Sequence, residues 1–230
     1  MFSKYMFEIC YNLLTLNKKL SVIHGDLHLN NATIGYIYDA PPNAHVIYQL
    51  DDNTKFMFPN LGYFSYIIDF SRSFIIPEDY EKIIDNVTVN SFKPVGEYDD
   101  FNLNEINNLL SWYLQLFPNK SKKKEELIVI FKHKYNAVFK LLTCMDLFMF
   151  TTRLLALLLQ HSNFNKKCIE LVDGINKMSE FYITRELNNL LNDDKYEKVI
   201  LDAEFPIETI IKKQFGNFDV KNYNITNNSN

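Results

Sequence analysis

The sequence predicts an α+β chain, mostly α-helical with a small β-sheet. Three observations predict it: helical apolar spacing in residues 4–16, five short strand-like runs between residues 21 and 70, and helical periodicity from residue 104 onward. In the first segment Tyr5, Met6, Ile9, Cys10, Leu13 and Leu14 share one helical face, and the helix is expected to end near Asn17-Lys18-Lys19. Strands are expected at 21–24, 33–38, 44–50, 55–59 and 63–70, divided by turn signals at Asp39-Ala40-Pro41-Pro42-Asn43 and Asp51-Asp52-Asn53. The second signal lies between "HVIYQL" and "KFMF" and predicts a hairpin loop. After Tyr98 the pattern is helical over 104–117, 125–135, 137–160 and 166–191, with Asp100 or Asn102, and Ser121, as caps. The expected organisation is one unit over 1–220, with an inserted hairpin at about 39–62 and a helical subdomain over 100–215. A polar tail over 221–230 is expected to fray.

Composition bounds the function. The chain has 230 residues, 47% hydrophobic and 23% charged, an ordinary globular balance with room for a real core. A net charge of −4 attracts neither nucleic acid nor an anionic membrane, so neither partner is expected. Cys10, Cys144 and Cys168 are dispersed and form no CxxC pair, which suits reduced thiols and an intracellular setting. No secretory signal is expected from "MFSKYMFEICYNLL". The longest apolar run, Leu147 to Leu159, is shorter than a membrane span of about 20 residues and carries Arg153; it reads as a core helix, not a transmembrane segment. The basic run Lys120 to Lys124 is followed at once by Glu125 and Glu126 and reads as a solvated helix start.

The chemistry concentrates in "SVIHGDLHLNNATIGY", residues 21–36, where two histidines, an aspartate and two asparagines fall within eight positions at a strand end. A second apolar strand, "YFSYIIDFSRS", runs into Asp69, its only carboxylate. Phosphoryl transfer needs a carboxylate where the acceptor hydroxyl delivers its proton and oxygen ligands that hold magnesium against the phosphates. Asp26, Asn31 and Asp69 are residues of that kind. The structural alternative is that Asp26 and Asn31 shape a tight turn and Asp69 caps an element.

These two stretches resemble the catalytic core of the protein-kinase superfamily, with its H-R-D-L-x-x-x-N loop followed by D-F-G. The resemblance implies a protein-kinase-like C-terminal lobe whose small β-sheet carries the catalytic loop, 24–31, and the metal-binding motif, 69–71. It implies Asp26 as catalytic base, Asn31 and Asp69 as magnesium ligands, His24 as the structural histidine of the loop, and Phe70 as the packing residue after the metal ligand. His28 stands where many protein kinases place a lysine near the transferred phosphate. The implied cofactors are ATP and Mg²⁺, and the implied partner is a protein substrate phosphorylated on Ser or Thr. On "HGDLH", the long insert before "IIDFSRS" and the Asn-rich composition, the chain looks most like the serine/threonine kinases of poxviruses and giant DNA viruses. That implies work in the host cytoplasm or the virion.

The departures carry meaning. Gly25 replaces the loop arginine, which puts control by activation-loop phosphorylation in doubt. Ser71 replaces the glycine of D-F-G and loses some backbone freedom. Asp99 or Asp100 could be the buried aspartate that braces the catalytic loop in the family, with ordinary helix capping the competing role. Pro77-Glu78 lies too close behind Asp69 to be the A-P-E element. The N-terminal ATP-binding lobe is absent by this reading: about 20 residues precede the loop, no G-x-G-x-x-G occurs, and Lys4, Lys18 and Lys19 lie too near the loop to grip phosphates. The resemblance leaves three readings. One is a truncated or split serine/threonine kinase whose ATP-binding half is upstream or on a separate chain. The second is a non-catalytic kinase-like module that binds a partner. The third is a small-molecule phosphotransferase of the aminoglycoside- or choline-kinase type, which Phe70 disfavours because a tryptophan commonly follows the metal aspartate there. A missing lobe is expected to leave an apolar face of the small sheet exposed.

Overall fold

Helix α1 (Phe2–Leu20) buries Met6, Ile9, Cys10, Leu13 and Leu14 of the predicted stripe, leaves Tyr5 partly exposed, and buries Phe7 as well. Lys18 and Lys19 sit in its last turn, where the unpaired carbonyls favour cations. Ser21 ends it in the left-handed conformation, φ 52°, donating its N–H to Leu16. The structure, a computed structural model, describes residues 1–36, 41, 44–75, 110–115, 122, 124–160 and 165–222. Asp99, Asp100, Asn102, Ser121, Pro77-Glu78, most of the 39–43 turn and of the 104–117 helix, and most of the tail lie outside the described residues.

Among the described residues, five of six short strands follow the sequence reading: β1 (Val22–Ile23), β2 (Ala32–Tyr36), β3 (His45–Gln49), β4 (Lys55–Pro59) and β5 (Tyr63–Ile67); the sixth, β6 (Phe74–Ile75), lies beyond the predicted runs. The expected single small sheet is corrected. The strands form three separate two-stranded antiparallel ladders, β1–β6, β2–β5 and β3–β4. Apolar runs announce strands but not their partners. Here each ladder is set by what it packs on. In β2–β5, Ala32 faces Ile67; in β1–β6, Ile23 faces Phe74. Together these two ladders bring the 24–31 loop against residues 68–73.

The β3–β4 hairpin closes through Asp51-Asp52-Asn53, as predicted, with the Asn53 N–H on the Asp51 carboxylate at 2.8 Å. Its inward residues Tyr48, Phe56 and Phe58 surround Phe7 of α1, with ring centroids 5.0, 5.1 and 4.6 Å away. Beneath them lies a buried polar knot. Lys4 Nζ donates to Glu8 at 2.6 Å and to the Tyr63 carbonyl at 2.6 Å. Glu8 also accepts from the Ser65 N–H and hydroxyl, at 3.0 and 2.8 Å, and from the Tyr48 hydroxyl. Every member has a partner, which is what makes two charges tolerable in a dry interior.

The remaining described elements are helical: α2 (Lys124–His133), α3 (Tyr135–Leu142), α4 (Cys144–Gln160), α5 (Lys166–Phe181), a π-helical turn (Tyr182–Glu186), α6 (Leu187–Asn192), α7 (Tyr196–Asp202) and α8 (Pro206–Phe215). The single helix expected over 137–160 is divided at Thr143, whose hydroxyl bonds the Lys140 carbonyl at 2.7 Å and competes with the helical ladder. Two nearly buried lysines close other helices. Lys134 donates to the Leu190 carbonyl at 2.8 Å, beside the end of α6, and Lys140 donates to the Leu201 carbonyl at 3.0 Å and to Ala203, at the end of α7. The run Tyr135–Gln160 is long and apolar enough to cross a membrane by length and composition, more than Leu147 to Leu159 alone suggested; 61% of its most apolar window is buried inside the protein, as in a core helix.

Glu8→Leu strands the Lys4 ammonium and is expected to cost about 3–5 kcal/mol in urea unfolding. A Lys4→Met/Glu8→Leu pair should recover most of that loss; equal losses in the single and double variants would show that the ion pair does not dominate the knot.

Candidate functional site

The 24–31 loop hangs from a carboxylate in the core. Asp146, in the first turn of α4, is fully buried and accepts the His24 N–H at 2.7 Å and the Gly25 N–H at 2.9 Å, one on each oxygen. Burial pushes its carboxyl up to about 6, against the opposing pull of His24 and of the loop amides. Asp99 and Asp100, the expected braces, lie outside the described residues; among the described ones Asp146 holds the loop amides. A signal for it existed. Asp146 is the one carboxylate in "LLTCMDLFMF", and an acid in so apolar a stretch must be spent on buried donors.

His24 joins the loop to the second motif. Its Nδ1 accepts the Asp26 N–H at 3.3 Å, so Nε2 carries the hydrogen and donates to the Ile68 carbonyl at 2.9 Å. Phe70 packs edge-on against the imidazole at 5.0 Å. The Ser73 hydroxyl donates to the His24 carbonyl at 3.2 Å, and the Ile68 N–H to the Asn31 carbonyl at 3.0 Å. Gly25 is required where it stands. Its φ is +79°, and a Cβ there would lie 2.3 Å from the Arg72 carbonyl oxygen. An arginine could not occupy this position with the Arg72 backbone where it is.

Among the predicted site residues, Asp26 is partly exposed, and its carboxylate lies 3.7 Å from the Arg72 guanidinium. Asn31 is buried at the end of a 3₁₀ turn (Leu29–Asn31) and donates its amide to the Asp26 carbonyl at 3.1 Å, which leaves its side-chain oxygen as an acceptor. Asp69 is exposed with φ 64°, a left-handed conformation that aspartate tolerates better than most residues. The Ser71 hydroxyl and N–H bond its carboxylate at 2.7 and 3.4 Å and hold that carboxyl below the usual range. The lost backbone freedom expected at Ser71 therefore falls elsewhere, since the positive φ is at Asp69. His28 caps the 3₁₀ turn, its Nδ1 accepting from the Asn30 N–H at 3.2 Å.

Among the described residues no three His, Cys, Asp or Glu side chains cluster as a metal cage. Asn31 keeps a side-chain oxygen acceptor, and Asp69 presents an exposed carboxylate. Beside them Ile34, Tyr36, Tyr66, Ile68 and Phe70 are exposed. Tyr66 lies across Gly35, where a Cβ would come within 2.4 Å of the ring. A separate cavity of about 390 Å³ between α1 and the β3–β4 turn, lined by Tyr11, Lys18, Lys19, Asp51 and Asp52 among others, includes none of the loop residues.

Comparison with known proteins finds viral relatives. The chain is 24% identical over 261 aligned residues to an uncharacterized protein of African swine fever virus from a Malawi tick isolate, covering 97% of this chain. It is 23% identical to the same protein of the Vero-adapted Badajoz strain, again over 97% of this chain. The chain spans about a third of the length of these relatives, 36% in each case. No family model matches. No solved structure matches.

Asp146 makes the stability depend on pH. Its folded carboxyl sits above its unfolded value, so its favourable contribution is complete below about pH 4 and is lost as pH rises through about 6. Asp146→Asn removes that titration. The stability of the native protein minus that of the variant should fall by about 2 kcal/mol between pH 4 and 7 in urea unfolding; a flat difference would contradict a buried, ionising Asp146. Gly25→Ala meets both the positive φ and the Arg72 carbonyl. It should cost about 2 kcal/mol or more and speed hydrogen exchange at Val22 and Ile23, whose ladder with β6 the Cβ would wedge apart.

Proposed function

We propose that this chain is the catalytic lobe of a serine/threonine protein kinase, transferring a phosphoryl group from ATP–Mg²⁺ to a protein hydroxyl. The observation that carries the reading is the loop anchored on Asp146, with His24 bonded across to Ile68, so that Asp26, Asn31 and Asp69 belong to one stitched unit. Asp26 is the base that receives the acceptor's proton. Asn31 and Asp69 hold magnesium, which neutralises charge on the phosphates when bound. His24 and Phe70 fix the relative position of the two segments. His28 has one ring nitrogen spent on the cap, which leaves the other for a hydrogen bond to the substrate.

On this reading the nucleotide-enclosing portion comes from elsewhere in a longer protein or from a partner chain. The exposed Tyr66, Ile68 and Phe70 beside the loop are consistent with a surface awaiting that cover. The viral relatives, about three times as long, are consistent with it too and with work inside an infected cell or virion. A second reading, a non-catalytic module that binds a partner through the same edge, is favoured by the exposed Tyr66, Ile68 and Phe70. One lobe alone encloses little of a nucleotide, so phosphoryl transfer by this chain by itself is expected to be nearly undetectable.

ATP–Mg²⁺ titration of the chain, by calorimetry and amide NMR, tests the proposal. Binding is expected at roughly millimolar affinity, with shifts at Asp26, Asn31 and Asp69 that disappear in Asp69→Ala. Micromolar binding would mean that the chain needs no second lobe. Silence at all three amides would sink the kinase reading.

A further inference from the structure

Arg72 has no role in the resemblance, yet the fold presents it with care. Its backbone is held on the C-terminal side. The Arg72 carbonyl oxygen occupies the space a Cβ would take at Gly25, the next residue donates its hydroxyl to the His24 carbonyl at 3.2 Å and its N–H to the Phe70 carbonyl at 3.1 Å, and Phe74 then enters β6. The side chain is nevertheless 74% exposed, with its guanidinium 3.7 Å from the Asp26 carboxylate, which is 28% exposed. An exposed pair at this distance contributes little to stability, about 0–1 kcal/mol. A cation held by a rigid backbone at the mouth of an acidic site is better explained by a ligand. Gly25 and Arg72 are also linked: the glycine that removes a cation from the loop is what lets the Arg72 backbone approach and bring another.

We infer that Arg72 is the anion-contact residue of this site, and that its guanidinium exchanges the Asp26 carboxylate for a phosphate oxygen of a bound polyphosphate. The inference rests on the phosphoryl-transfer reading and adds a residue to it. A guanidinium presents a planar fork that matches two phosphate oxygens, and it stays charged at any working pH. Leaving Asp26 for the phosphate does two things at once. It places positive charge where transferred phosphate carries negative charge, and it frees the Asp26 oxygen for an acceptor hydroxyl.

The probe is tripolyphosphate with Mg²⁺, followed by NMR at the Arg72 Nε–H and at the Asn31 and Asp69 amides of the chain. All three are expected to shift together. Arg72→Gln should weaken binding about tenfold and Arg72→Lys less, since a lysine keeps the charge but loses the fork. Asp26→Asn should tighten binding severalfold by removing the competing carboxylate, and that gain should shrink in the Asp26→Asn/Arg72→Gln double variant. Shifts at Asn31 and Asp69 with a silent Arg72, and unchanged affinity in Arg72→Gln, would overturn the inference while leaving the phosphoryl-transfer reading in place. Silence at all three positions would overturn that reading itself. An equal gain from Asp26→Asn with and without Arg72 would show general charge repulsion instead of exchange.

Discussion

Two hydrogen bonds from loop amides to one buried carboxylate organise this protein. Asp146 reaches out of the core helix α4 and takes the N–H groups of His24 and Gly25. A loop needs partners for its backbone donors wherever water is excluded, and few side chains accept two at once. The carboxylate does so at a cost, because burial opposes its ionisation. That cost secures a definite loop conformation. From it follow the tautomer of His24, the reach to Ile68 and the position of Phe70.

The same arrangement recurs around the core. Glu8 and Lys4 lie buried between α1 and the strands, each with its bonds satisfied, and so fix β5 and the β3–β4 hairpin on one helix. Lys134 and Lys140 do the equivalent for helix ends. Around these polar points the packing is aromatic, with Phe7 surrounded by rings from three other elements. Polar groups choose which surfaces meet, and apolar burial supplies most of the free energy.

The candidate site sits at the edge of this scaffold, with Asp26 partly exposed, Asp69 exposed and Asn31 buried between them in sequence. Asp26 and Asp69 face solvent while their backbones are held from beneath, the arrangement a site needs if it is to be open to a ligand yet pre-formed. The neighbouring apolar side chains, Tyr66, Ile68 and Phe70, are exposed at the same edge. A surface so composed is suited to being covered.

The sequence by itself determined the element types and the residues of the candidate site. Periodicity placed α1 and five of the strands, and the polar clusters at 24–31 and 69–71 stood out because such residues have no reason to gather at strand ends. Periodicity also announced a helical second half, but left α7 and α8 unresolved within it. What only the tertiary structure decided was partnership. No local pattern says that Asp146 serves residues more than a hundred positions earlier, that the described strands pair as separate ladders and not one sheet, or that Gly25 is needed to admit the Arg72 carbonyl. The physical reason is common to all three. A hydrogen-bonding group states that it needs a partner, but which partner it meets depends on how the whole chain packs.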